Sequence, residues 1–321
     1  MNRTISRRDI LKSAAAAGLT GLVGCTMPRK ATQPAQAEDD RAGWIDAHVH
    51  VWTDDTAKYP LAPGWRREQM NPPRFTPEDL FAQCEPVGVR RINLIQMSYY
   101  HCDNRYMLDM MQQYPGRFAG TAIVDPTSRD LPGQMHRLSS AGVRAFRIYP
   151  DLAGGKPADW LKPDGYEIMF RAGADLNLAM SCLIGPADLA ELDRMCQRFP
   201  QTPVIIDHLC RVSLTGKDQP AELDALCRMS RHRRVMVKVG AFYALGAGKP
   251  PYDPLKPMIK RVVEAFGPGR CMWETDSPFE VVRGSYAASL ALIRDRCEFL
   301  SPADKRQILR KTAEEFFFSA R

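Results

Sequence analysis

The 321-residue chain has no hydrophobic run long enough to cross a bilayer. Its Ala-, Gly- and Leu-rich stretch, Ser13 to Gly24, stops well short of the roughly 20 residues a membrane helix needs. Nine cysteines contain no CxxC pair, which excludes zinc ribbons and thioredoxin-type redox motifs. No GxGxxG or P-loop follows the first strand-like segment, so the usual nucleotide sites are missing. Concentrated charge is absent too: 44 basic against 37 acidic residues leave +7. Arg3, Arg7, Arg8 and Lys12, less Asp9, supply +3 of it before Cys25. The mild remainder gives no footprint for nucleic acid. Arg231, His232, Arg233 and Arg234 form the one basic cluster, which reads as a solvated turn before a strand. What is present is a globular composition, 45% hydrophobic and 25% charged. The length suits two average domains or one large α/β barrel.

The N-terminus reads as an address. Ser6 to Lys12 (SRRDILK) match a twin-arginine export signal, and the apolar stretch after it suits a signal h-region. Leu22, Val23, Gly24 and Cys25 read as a lipobox, so Cys25 is the expected lipidation site of a periplasmic or cell-envelope lipoprotein anchored to the membrane. An ordinary cleaved signal is the alternative. Thr26 to Gly43 carry prolines, alanines and acids with little to bury, the composition of a flexible tether. The expected organisation is therefore a signal over 1–25, a tether over 26–43 and a folded domain over 44–321. Twin-arginine substrates fold before export in a reducing compartment, so the other eight cysteines are expected as free thiols.

From Trp44 onward, short Val-, Ile- and aromatic-rich runs alternate with helical patterns. Eight strands are predicted: Trp44 to His50, Arg91 to Gln96, Phe118 to Val124, Val143 to Tyr149, Asn177 to Leu183, Pro203 to His208, Val235 to Gly240 and Cys271 to Asp276. Thr76-Pro77 and Ser301-Pro302 mark helix starts, the second opening a last helix that ends near Phe318. Eight βα units without a linker-like gap favour one (β/α)8 TIM barrel over an open doubly wound sheet. Chemistry on such a barrel gathers at the C-terminal strand ends.

Those ends are polar. His48 and His50, two apart on the first strand, share a face. His208 ends the sixth strand and Asp276 the eighth, which adjoins the first in a closed barrel. Two imidazoles can hold a metal or a carbonyl oxygen, and a carboxylate beside them is a natural general base. Arg147 on the fourth strand offers a planar fork for a carboxylate or hydroxyls, or serves as an interior strut. Lys238 has the same two readings, with the structural one favoured. Tyr100, His101, Asp103 and Asn104 lie on a loop after the second strand that should overhang the mouth; Tyr100, His101 and Asn104 are taken as substrate contacts. His136 and His232 read as surface residues.

Seven phrases in order resemble the amidohydrolase superfamily, in the amidohydrolase-related branch that holds sugar lactonases and pyrone-dicarboxylate lactonase. They are IDAHVHVW (Ile45 to Trp52), QMSYYHCDNRY (Gln96 to Tyr106), RFAGTAIVDP (Arg117 to Pro126), VRAFRI (Val143 to Ile148), VIIDHL (Val204 to Leu209), VKVG (Val237 to Gly240) and WETDSP (Trp273 to Pro278). The resemblance implies that His48, His50 and His208, with Asp276, ligate one divalent ion such as zinc or polarise the substrate carbonyl without one. It also implies that Asp276 activates water. Metal-binding members add a histidine on the fifth strand, where this chain offers only Cys182; a metal-bridging lysine on the fourth strand is replaced by Arg147. A binuclear site is not expected. His101-Cys102 replace a usual glycine and threonine, Cys210 stands where glycine is common, and Thr312-Ala313 replace asparagine and alanine.

The expected reaction is opening of a cyclic ester of a sugar acid or dicarboxylate by water that Asp276 activates. The rivals are a mononuclear metal-dependent amide hydrolase or decarboxylase, and a tethered binding protein without turnover. The expected partners are a small-molecule substrate and, through the lipid, a membrane; the oligomeric state is left open.

Overall fold

The computed structural model describes residues 42–150, 152, 160–214 and 219–319. The twin-arginine segment, Cys25 and most of the expected tether lie outside the described residues. Eight parallel strands form one sheet in sequential order: β1 (Trp44–Val49), β2 (Val89–Ile95), β3 (Phe118–Ala122), β4 (Val143–Ile148), β5 (Ala179–Cys182), β6 (Val204–Ile206), β7 (Val235–Val239) and β8 (Cys271–Trp273). All eight fall on the predicted segments, β2 starting two residues earlier. β6 and β8 are shorter than expected, and just past their ends His208 (φ 54°) and Asp276 (φ 61°) leave extended geometry.

Helices follow the strands in register: α1 (Pro77–Cys84), α2 (Arg105–Gln113), α3 (Leu131–Ser140), α4 (Asp164–Leu176), α5 (Leu189–Arg198), α6 (Gln219–Arg228), α7 (Lys256–Phe266), then α8 (Phe279–Arg283) and α9 (Tyr286–Ala291) after β8. The final helix, α10 (Pro302–Arg306), continues in wider turns to Phe318, as the sequence suggested. Its start is fixed reciprocally: Asp304 N–H donates to Ser301 Oγ (3.2 Å), and Ser301 N–H to the Asp304 carboxylate (3.1 Å).

The barrel closes where β8 meets β1. Asp276 N–H donates to the His48 carbonyl (2.9 Å) and His50 N–H to the Ser277 carbonyl (2.8 Å). Just below, the buried Asp46 carboxylate accepts from Thr275 N–H (3.0 Å), Thr275 Oγ1 (2.6 Å), His48 N–H (3.1 Å) and Tyr286 OH of α9 (2.8 Å). Burial pushes Asp46 up to about 7 against the pull of those donors.

A floor of small and branched residues fills the barrel's other end: Ile45, Ala47, Ala119, Ala145, Ala179, Ile205 and Met272, plugged by Ala313 and Phe317 of the C-terminal helix. Polarity rises from there toward the rim. Between Asp46 and Val49, β1 slips register against β2, so three steps on β1 match two on β2. That bulge matters: Ile45 and Ala47 belong to the floor cluster while Val49 joins the strand–helix core, so the inward phase changes and His48 and His50 point into the mouth. Gly240, just past β7, lies so close to Glu274 that a Cβ there would fall 2.0 Å from the Glu274 carbonyl oxygen and 2.2 Å from its Cγ.

Among the described residues all eight cysteines are free thiols. Among the described residues no helix is long and apolar enough to cross a membrane. His136 is exposed, and His232 is half-buried on Asp193 (2.7 Å).

Candidate active site

The four residues singled out by sequence converge. His48 Nε2 lies 3.2 Å from His50 Nε2 and 3.4 Å from Asp276 Oδ1; His50 Nε2 lies 3.2 Å from the same oxygen. His208 Nε2 faces the other oxygen, Oδ2, at 3.9 Å. All four are nine-tenths or more buried.

Their supports set what each nitrogen can do. His50 Nδ1 donates to the Ile95 carbonyl (2.9 Å), which leaves Nε2 as an acceptor facing the site. Burial lowers His50 to about 4, so it is neutral at ordinary pH. Glu274 Oε1 takes both the backbone N–H (3.0 Å) and Nδ1 (2.8 Å) of His208. Burial opposes the charged imidazole, but the Glu274 and Asp276 carboxylates outweigh it and the His208 pKa is raised. His48 is bracketed: Glu274 Oε2 lies 3.0 Å and Lys238 Nζ 3.1 Å from Nδ1, with Arg147 3.1 Å from Nε2. Lys238 in turn pairs with buried Asp207 (2.9 Å), which also accepts from Ser181 Oγ (3.0 Å). Burial works against all three carboxylates, yet cationic neighbours win. Lys238 beside Asp207, His208 beside Glu274, and the imidazoles around Asp276 hold each well below the usual carboxylate range.

Asp276 divides its labour. Tyr243 OH donates to Oδ2 at 2.6 Å, while Oδ1, buried, has no hydrogen-bond partner. An unengaged carboxylate oxygen facing an acceptor nitrogen is an unstable pairing unless a proton, a water or a cation lies between them. The donor set suits an ion. Tetrahedral zinc bonds of about 2.0–2.1 Å place ligand atoms about 3.3 Å apart, and the His48, His50 and Asp276 atoms are separated by 3.2, 3.4 and 3.2 Å. These three form one potential metal group; His208 falls in another with His48 and Asp207, and so stands apart from the triangle. Cys182 does not stand in for a fifth-strand ligand. It packs in the strand–helix core, because the adjacent Ser181 takes the inward position on β5.

The cluster forms the base of a cavity of about 510 Å³. Its lining mixes aromatic and aliphatic side chains, among them Trp65, Tyr149 and Phe279, with the cationic and polar Arg147, Arg211, Arg283, His101 and Gln96. A smaller hollow of about 350 Å³ shares His208, Arg211, Tyr243 and Asp276 with it. Arg147 and His101 thus lie where sequence placed them. Tyr100 and Asn104 do not line this cavity. Tyr100 OH is turned onto the Thr53 backbone (3.1 and 3.3 Å), and Asn104 bridges Cys102 and Ile123 (2.8–3.0 Å), so both brace the loop.

Sequence reasoning gave no role to Asp207, Glu274 or Tyr243. Glu274 was within reach, since it precedes Asp276 by two on one strand end. Tyr243 carried no signal, lying in a turn (Phe242–Ala244) beyond β7.

Residues 45–318 match the amidohydrolase family, and the chain belongs to it; the protein is a hydrolase. It is similar to an L-fucono-1,5-lactonase from Burkholderia ambifaria, at 26% identity over 85% of this chain and 94% of the relative. It is also similar to a 2-pyrone-4,6-dicarboxylate hydrolase from Comamonas testosteroni, at 30% identity over 74% of this chain and 77% of that one. A solved amidohydrolase from Burkholderia multivorans with bound zinc shares the fold, with a TM-score of 0.69 and 18% identity over 85% of this chain and 98% of that one.

The depressed Glu274 has a pH consequence. Its stabilising contribution is complete above the ordinary value of 4.5 and disappears as pH falls toward the lower folded value. Glu274→Gln is therefore expected to melt below the parent at neutral pH. It should also lose less of its melting temperature than the parent between about pH 6 and about pH 3. Parallel melting curves against pH would refute the assignment.

Proposed function

We propose that the protein is a lactonase that opens carboxylate-bearing cyclic esters. The observation that carries this is Asp276 Oδ1, buried without a hydrogen-bond donor at the base of a cation-rich cavity. Among the described residues, no carboxylate pairs with Arg147, Arg211 or Arg283, so these guanidiniums are available to an anionic ligand. The aromatic side chains among them, Trp65, Tyr149 and Phe279, suit a flat ring. The two relatives named as a lactonase and a pyrone-dicarboxylate hydrolase support the reaction class. The arginines favour the dicarboxylate type over a neutral sugar lactone.

In this mechanism Asp276 Oδ1 takes a proton from water as the water oxygen adds to the ring carbonyl. The oxyanion forms beside His208, whose ring Glu274 anchors through Nδ1, and beside Arg147. Collapse breaks the ring C–O bond, and the proton on Asp276 passes to the departing oxygen, returning the carboxylate. His48, His50 and Asp276 would hold a divalent ion; when bound it would polarise the carbonyl or acidify the water. The N-terminal motif supports an exported enzyme anchored through lipid at Cys25.

Three outcomes test these readings. Proton release on a panel of sugar and dicarboxylate lactones should show turnover, fastest with dicarboxylates. Asp276→Asn should cut kcat by roughly 10²–10⁴-fold, and Arg147→Met should raise KM selectively for the carboxylate-bearing substrates. No opening of any lactone by folded protein would overturn the reading. Metal analysis after zinc loading and desalting should find one equivalent in the parent and none in His50→Ala; equal content in both would remove the triangle as the site. In a bacterial host with a twin-arginine system, the parent should fractionate with membranes and Cys25→Ser should not. Membrane retention of that variant would exclude the anchor.

A further inference from the structure

Asp276 is not held by its strand. β8 ends at Trp273, and Asp276 has left-handed φ (61°), so its side-chain direction depends on contacts from other segments. One strong contact reaches it from elsewhere in the chain: the phenol of Tyr243, 33 residues earlier, donating to Oδ2 at 2.6 Å. Tyr243 sits in a single turn after β7, entered through Ala241 at φ 52°. That turn is fixed by a group outside the reacting cluster, Glu280 of α8. Glu280 is fully buried, and Oε2 accepts the Tyr243 N–H at 3.2 Å. Its other oxygen accepts from Tyr252 OH and from Ser285 N–H (3.2 Å). One buried carboxylate therefore ties the loop after β7 to the segment after β8. Phe279 and Arg283 flank the Tyr243 ring, at 6.3 Å between ring centroids and 5.7 Å from guanidinium to centroid.

We propose that Tyr243 is a positioning residue for the hydrolytic carboxylate, with Glu280 as the strut that places Tyr243. The inference rests on the reading of Asp276 as the base. A carboxylate free to rotate would offer either oxygen to water, in several directions. With Oδ2 committed to the phenol, Oδ1 alone faces His48 and His50, and a proton taken there is returned from the same place. The phenol proton is spent on Oδ2, away from the oxygen that meets water. It orients without exchanging, and the bond-making steps stay as written for Asp276.

The test uses the soluble, folded enzyme with 2-pyrone-4,6-dicarboxylate and L-fucono-1,5-lactone as probes. Tyr243→Phe keeps the ring and its packing and removes the hydroxyl alone. It should lower kcat about 10- to 100-fold, the scale of a small misplacement of a reacting group, while KM and melting temperature stay close to the parent. Glu280→Gln should lower kcat in the same sense but less. In the Tyr243→Phe background it should lower kcat no further, because the two act through one bond. A merely structural Glu280 would instead give additive losses tracking melting temperature, and that result overturns its role. Unchanged kcat in Tyr243→Phe, or a rise in KM alone, overturns the role of the tyrosine. Asp276→Asn separates the layers: retained turnover there defeats the base itself, whereas a dead Asp276→Asn beside a fully active Tyr243→Phe defeats only this inference. Should Tyr243→Phe not fold, Glu280→Gln alone decides, and full kcat in that variant overturns the proposal. Absence of parent turnover on both probes removes this inference together with the lactonase reading.

Discussion

The site depends on how charge is balanced around the buried His48 imidazole. Lys238, Asp207, Glu274 and His48 have no solvent exposure, and Arg147 is nearly as enclosed. Burying the charge of Lys238, Arg147, Asp207 or Glu274 alone would cost several kcal/mol or more. Together they are paired at 2.9–3.1 Å, Lys238 with Asp207 and His48 with Glu274, and Glu274 passes the constraint on to His208 through both its ring and its backbone. The imidazoles of His48 and His208 are thus placed by Lys238, Asp207 and Glu274, which lie a layer deeper and do not line the cavity.

The same residues also close the barrel. The seam between β8 and β1 is short, and its hydrogen bonds run through His48, His50, Asp276 and Ser277 at the rim and through Asp46 just below. A change at the site is therefore a change at the seam. Left-handed backbone recurs where the last strands reach the rim: the run His208 to Arg211 after β6, Ala241 after β7 and Asp276 after β8 all have φ between 50° and 61°. Cys210, at φ 56°, stands where the resemblance expects glycine, and left-handed backbone is the physical reason glycine would suit that place.

Much of this was legible beforehand. Alternating apolar runs placed all eight strands, because a parallel barrel strand is buried on both faces and reads as a short hydrophobic block. His48, His50, His208, Arg147 and Asp276 were legible as strand-end polar residues, a position that barrel geometry turns into one rim. Tyr100 and Asn104 were misplaced for a plain reason. Loop polarity signals exposure, but it does not say whether a hydroxyl or an amide turns toward the cavity or back onto its own backbone, and here both turn back.

Local residue chemistry and periodicity were enough to establish the barrel, its polar rim and the candidate base, since each is a property of one strand and its ends. Other features needed the chain brought together. The β1 bulge reverses the inward phase after Ala47, so Asp46 and His48 share parity yet face opposite sides, and no period-2 rule reveals that. Glu274 acquired its role only by meeting His208 from 66 residues away, and Tyr243 acquired its own by meeting Asp276 across two loops. Contacts of that kind are set by the closure of the sheet and by the cost of leaving buried charge unpaired, and both are properties of the folded whole.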